Sequence, residues 1–176
     1  MRNSVLWMAI LAAAPAVAQN RPVATLDLQR YSGTWHEIAH LPMFFQRKCK
    51  DRITATYTQR PDGDIEVRNA CRTQDDRIEQ SIGVARAVAG EPGALKVRFA
   101  PRWMAWLPLV WADYWVVALD PRYGWALVGG PSRKYLWVLS RTPSMSNESF
   151  SQIKTLATQL GYPTERLIMA APLTAP

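Results

Sequence analysis

Residues 53–67 read Ile-Thr-Ala-Thr-Tyr-Thr-Gln-Arg-Pro-Asp-Gly-Asp-Ile-Glu-Val. Ile53, Ala55 and Tyr57 alternate with Thr54, Thr56 and Thr58. A period of two is that of a strand with one face in a core and the other in water. Arg60-Pro61-Asp62-Gly63 then supplies turn chemistry. The proline ring presets φ, the aspartate side chain accepts from nearby backbone, and glycine tolerates the left-handed region. Ile65 and Val67 resume the alternation against Glu66 and Arg68, so the stretch is a β-hairpin.

The same grammar extends in both directions. Ile82 to Val88 forms a run that Glu91-Pro92-Gly93 closes, and Leu95, Val97 and Phe99 alternate with Lys96 and Arg98. Tyr114 to Leu119 is wholly apolar and stops at Asp120-Pro121-Arg122; Trp125 to Val128 precedes Gly129-Gly130-Pro131; Tyr135 to Leu139 is the last run. With Thr34 to Ala39 at the front, the count is eight strands at hairpin spacing. Eight meandering antiparallel strands protect their edges by closing. The expected fold is therefore all-β, an eight-stranded antiparallel up-and-down barrel over about residues 31–142, wide enough for one small ligand. After it, Ser146 is a candidate N-cap, and Phe150, Ile153, Ala157 and Leu160 recur at helical spacing before Gly161. A helix over about 147–160 is expected to pack on the outer wall, with 170–176 as a loose tail.

The chain has 176 residues, a net charge of +7, 48% hydrophobic and 20% charged residues, which suits one folded domain rather than a disordered chain. Met1-Arg2-Asn3, the apolar stretch Val5 to Ala14 and Ala16-Val17-Ala18 read as a secretory signal peptide over residues 1–18, leaving a single domain over 19–176. No cysteine stands at the cleavage point to carry a lipid anchor, so the protein is expected in the periplasm or secreted. In an oxidising compartment Cys49 and Cys71 are expected to form one disulfide, two buried free thiols being the alternative.

Three blocks then resemble the lipocalin family. Gly33-Thr34-Trp35 is similar to its G-x-W signature. Asp113-Tyr114, running on through Trp115 to Asp120, is similar to its second block, and Leu139-Ser140-Arg141-Thr142-Pro143 to its third. They come in the family's order over about residues 26–170. The resemblance is strongest to bacterial lipocalins related to apolipoprotein D and to plant temperature-induced lipocalins. Many bacterial relatives carry a lipoprotein cysteine after the signal peptide, which this chain lacks. The resemblance implies a calyx whose floor is sealed by Gly33, Trp35 and Arg141, the guanidinium stacked on the indole. It also implies a small hydrophobic ligand, a fatty acid or lysophospholipid.

With Trp35 facing in, alternation turns Glu37 and Ala39 inward. Aligned on the three blocks, Ile53, Ala55, Tyr57, Val67, Asn69, Leu95, Val97, Phe99, Tyr114, Val116, Trp137 and Leu139 also face in. With Phe44 from the first loop, all of these except Leu95 form the expected ligand-binding set; those near the floor either touch ligand or simply fill the barrel. Glu37 is expected to bond a neighbour such as Tyr57 or water.

Two connections belong at the open end. Leu41 to Asp51 holds Phe44 and Phe45 beside Arg47, Lys48 and Lys50; Ala100 to Ala112 holds Trp103, Trp106, Leu107 and Trp111 beside Arg102. Aromatic and basic residues together suit an anionic membrane surface. A lid over the cavity or a homodimer contact would use the same residues.

His36 and His40, four apart on a strand and about 13 Å from each other, cannot share a metal ion, and both are expected to face outward. No metal site, cofactor motif or nucleophile signature is evident. Scattered basic residues argue against nucleic acid as a partner. Three readings stand: a lipid carrier without catalytic residues, a lipocalin-fold enzyme of isomerase type for which a free Cys71 would be the thiol, and a protein-interaction module using the aromatic mouth.

Overall fold

The computed structural model describes residues 18–175, so the expected signal peptide lies almost wholly outside the described residues. A single helical turn, α1 (Leu28–Tyr31), is capped by Asp27, whose carboxylate accepts from the backbone of Gln29 and Arg30. Eight antiparallel strands follow: β1 (Gly33–His40), β2 (Cys49–Gln59), β3 (Ile65–Thr73), β4 (Ile78–Val88), β5 (Glu91–Arg98), β6 (Ala112–Leu119), β7 (Trp125–Gly129) and β8 (Trp137–Ser140). Each pairs with the next, and β8 returns to β1 with Glu37 opposite Leu139, so the sheet closes into a barrel.

The hairpin that opened the analysis forms as read. Tyr57 stands opposite Val67 and Gln59 opposite Ile65, with Gly63 donating to the Arg60 carbonyl across the turn. Elsewhere the sheet departs from the expectation. β4 begins at Ile78, four residues before its apolar run, because paired backbone continues after the alternation has become polar. Its turn is Ala89-Gly90, not Glu91-Pro92-Gly93, and Gly90 takes the positive φ of 78° that the reversal needs.

Strand alternation sorts side chains into two cores. Inside, Trp35, Tyr57, Val67, Leu95, Val116, Val128 and Leu139 pack with Tyr31 from α1. Outside, Ile38, Val117, Leu127, Leu136 and Val138 meet the helix α2 (Asn147–Gln159) through Phe150, Ile153 and Ala157. Ser146 caps α2 by accepting from the Ser149 amide. Each large apolar side chain so buried contributes about 1.5–3 kcal/mol, which is why a helix with few polar partners stays docked.

The last described residues are not loose. Beyond His36, β2 leaves the edge of β1, and β10 (Ile168–Met169) takes its place. The amides of Ala170 and Ala171 both donate to the Ile38 carbonyl, satisfying an acceptor that β2 has abandoned. β11 (Leu173–Thr174) pairs in parallel with β9 (Met145–Ser146) ahead of α2.

Candidate ligand-binding site

Below the cavity the floor is closed. Trp35 is fully buried, and the Arg141 guanidinium lies 3.8 Å from its ring centroid. Nη1 of Arg141 donates to the Thr34 carbonyl at 3.0 Å, and Nη2 reaches the carbonyls of Arg30, Tyr31 and Ser32 at 2.6, 3.2 and 3.0 Å. Trp35 Nε1 donates to the Tyr31 carbonyl at 2.8 Å. One fork thus ties α1 to β1 and β8, a geometry a lysine ammonium could not reproduce. Gly33 sits at φ 95°, a left-handed backbone that favours glycine, and a Cβ there would lie in ordinary contact with Arg141 Nη1 at 3.4 Å.

Above the floor, the cavity measures about 580 Å³, within the range of small-molecule sites. Its wall is mostly apolar. Ile53, Ala55, Val67, Val97 and Leu139 line it as expected, with the aromatic rings of Phe44, Phe99 and Trp137 toward the opening. Glu37, Asn69, Tyr57 and Tyr114 are its polar points among the expected residues. Gln46, Lys48 and Val128 line it as well, and so does the disulfide formed by Cys49 and Cys71. That bond removes the free thiol on which the enzymatic reading relied.

Two expected positions are corrected by β1. Between Glu37 and Ala39 its pairing with β8 slips by one residue, so Ala39 faces Val138 and His40 faces Trp137. A bulge reverses alternation beyond it. Ala39 therefore packs in the outer core against α2, not in the cavity. His40, expected outside, is buried, with Nε2 3.7 Å from Glu37 Oε1 and Nδ1 bonded to the Leu41 carbonyl at 2.7 Å. Glu37 faces the cavity as expected, and the neighbour it bonds is Gln46 rather than Tyr57: Gln46 Nε2 donates to both of its carboxyl oxygens, at 3.1 and 2.9 Å. Trp137 Nε1 donates in turn to Gln46 Oε1 at 3.2 Å. Burial, with no cation beside it, raises the Glu37 carboxyl to about 8, the Gln46 bond opposing weakly. Burial also lowers His40 below its ordinary value.

Val116 is a third correction. It is fully buried in the inner core and does not line the cavity; with Leu95 it fills the barrel below. No periodicity separates a residue that fills from one that lines, because both face in.

At the opening, Phe44, Trp103 and Trp106 are 72%, 74% and 77% exposed, and Phe45 is exposed as well. Leu109, at 99%, is more exposed than the half-buried Leu107. Trp111 is not presented there. Its ring lies 5.0 Å from the Arg86 guanidinium and 5.2 Å from that of Arg98, and Nε1 donates to the Ala105 carbonyl. It anchors the loop to the barrel's outer wall. Of the basic residues beside Phe45, Lys48 pairs with Glu79 and Lys50 with Asp76.

Comparison with known proteins bears on this geometry. The family profile described as a lipocalin-like domain matches residues 26–172. The chain belongs to the lipocalin family. Temperature-induced lipocalin-1 of Arabidopsis thaliana is 43% identical over 148 residues, which cover 82% of this chain and 78% of that protein. Outer membrane lipoprotein Blc of Citrobacter freundii is 40% identical, covering 83% and 79%. Apolipoprotein D of Mus musculus is 30% identical, covering 87% and 78%. The solved structure of insecticyanin from the tobacco hornworm Manduca sexta superimposes with a TM-score of 0.66 over 90% of each chain at 19% identity. That likeness is one of fold: the same closed barrel with a helix outside. A lipocalin with this calyx has the site of a small hydrophobic ligand, closed below by Trp35 and Arg141 and open above at Phe44.

Proposed function

We propose that this lipocalin is an exported, non-catalytic carrier of a single-chain lipid, a fatty acid or lysophospholipid, which enters tail first. The observation that carries the reading is the cavity itself, about 580 Å³ and apolar along its walls, with polar groups at a few points only. An acyl chain gains from such a wall about 0.8 kcal/mol per buried methylene, and a headgroup can stay at the mouth among Lys48, Gln46 and solvent.

The mouth is read as a docking surface for anionic membrane. Phe44, Phe45, Trp103, Trp106 and Leu109 expose apolar surface on the two connections at the open end. Indole rings favour the headgroup level of a bilayer. Self-association through the same face is the second outcome and is separated by concentration-dependent sizing.

Native mass spectrometry of the mature protein from the bacterial envelope, followed by extraction of any adduct, tests the carrier reading. A bound fatty acid or lysophospholipid is expected. Failure of purified protein to bind either ligand in solution would overturn the reading.

A further inference from the structure

Three phenols meet at the bottom of the cavity. Tyr114 Oη lies 2.7 Å from Tyr31 Oη and 2.7 Å from Tyr57 Oη. Tyr57 and Tyr114 line the cavity, whereas Tyr31 belongs to the closed floor beneath. Each phenol brings one O–H donor. Three donors share two hydrogen bonds, so one O–H has no acceptor within the cluster. When both outer phenols donate to Tyr114, its own proton is the spare one. When Tyr31 donates to Tyr114 and Tyr114 to Tyr57, the spare proton is that of Tyr57. In both, the spare proton belongs to a phenol that lines the cavity. In the third, Tyr57 donates inward and the spare proton rests on Tyr31.

We propose that Tyr57 and Tyr114 form a hydrogen-bond-donor subsite at the inner end of the cavity, selecting hydrophobic ligands that carry an acceptor oxygen, a ketone or other oxygen function, near the end that enters first. The inference rests on the carrier reading and adds a ligand class to it. An acceptor oxygen there selects the two productive proton arrangements. A plain methyl terminus leaves a buried O–H without a ligand partner, a loss that is costly in a dry site. Burial keeps all three phenols protonated through the physiological range, so the donors are retained. The same chemistry explains why tyrosine rather than phenylalanine occupies three touching positions in an otherwise apolar interior.

The test compares hexadecanoic acid with its ω-1 keto analogue, a matched pair differing at the inner end. Dissociation constants are measured by displacement of a fluorescent apolar probe, on the parent protein, Y57F/Y114F and Y31F. The ratio of the two constants is expected to move against the ketone by about tenfold in Y57F/Y114F. It should stay within about threefold of the parent in Y31F, because Tyr57 and Tyr114 then share one bond and still leave one donor free. A carbonyl-labelled ketone bound to the parent protein gives a second readout that needs no variant to fold: its infrared stretch should fall below its position in alkane solvent. An unchanged ratio in a folded double variant, or an alkane-like carbonyl stretch, overturns the subsite while leaving the carrier reading intact. Failure of both acids to bind the parent protein overturns both.

Discussion

Gln46 Nε2 lies 3.1 and 2.9 Å from the two carboxyl oxygens of Glu37, and this bond fastens the 3₁₀ turn Phe44–Gln46 of the mouth to the barrel wall. A buried carboxyl with an amide for its partner holds its proton far longer than an exposed one.

Stability should therefore fall with rising pH across a defined window. Glu37 titrates near 4.5 in the unfolded chain and about 8 in the fold. Between these values the native state holds a proton that the unfolded state has released. The contribution is complete below the lower value and is lost as the pH rises through the upper one. E37Q removes the ionisation and keeps the shape. Unfolding free energies from urea titrations at about pH 5 and about pH 9 should differ by a few kcal/mol more in the parent than in E37Q. Equal differences would refute the assignment. His40 acts oppositely, since its lowered value withdraws stability as the pH falls below its ordinary range.

Removing the other partner should loosen the mouth. Q46A deletes the donor to Glu37 and the acceptor for Trp137 Nε1 together. A loss of about 1–3 kcal/mol is expected, since two buried polar groups lose partners. Amide exchange should quicken between Leu41 and Lys48 and stay unchanged in α2. Slow exchange across that loop in Q46A would show that another contact holds it.

The floor offers a sharper substitution. R141A loses the stack on Trp35 and the bonds to four carbonyls. It should cost about 2–4 kcal/mol, and R141K should recover less than half, because an ammonium cannot fork. Chemical denaturation measures both. Full recovery by lysine would mean that charge alone matters.

The exposed rings of the mouth predict the reverse pattern. W103A and W106A remove side chains that are 74% and 77% exposed, so the melting temperature should hardly move. Co-sedimentation with liposomes containing anionic lipid should fall by about fivefold or more in the double variant. Binding equal to the parent's would remove the docking reading.

The Cys49–Cys71 bond closes a loop of 22 residues through β2 and β3. Its replacement by two serines should cost about 3 kcal/mol on the chain-entropy account. Retention of the parent's stability would mean that the hairpin's strand pairing alone holds this corner.

Much of the barrel was legible in short-range pattern. The alternation from Ile53 to Val67 marked strand, turn and inner face together, and twelve of the fourteen residues assigned to the cavity line it. The failures cluster where a two-residue period stops being kept. Ile38 is followed by Ala39 in the outer core, and the slipped pairing against Val138 sends His40 inward. No residue type announced that slip. The signal for Gln46 was absent too, since a lone glutamine in a loop has no preferred partner until the loop is folded back over Glu37.

Composition, alternation and turn residues by themselves determined an eight-stranded all-β barrel with a helix outside, because backbone pairing and side-chain parity act over neighbours in the chain. Tertiary structure alone decided which inward residues line the cavity and which fill it, as Tyr57 and Val116 show. It alone also decided that Glu37 would lie beside Gln46 and His40, and that Tyr31, Tyr57 and Tyr114 would join hydroxyls across as many as 83 positions of sequence. Those outcomes depend on where the barrel closes and where β1 slips, and closure is a property of the whole sheet rather than of any stretch within it.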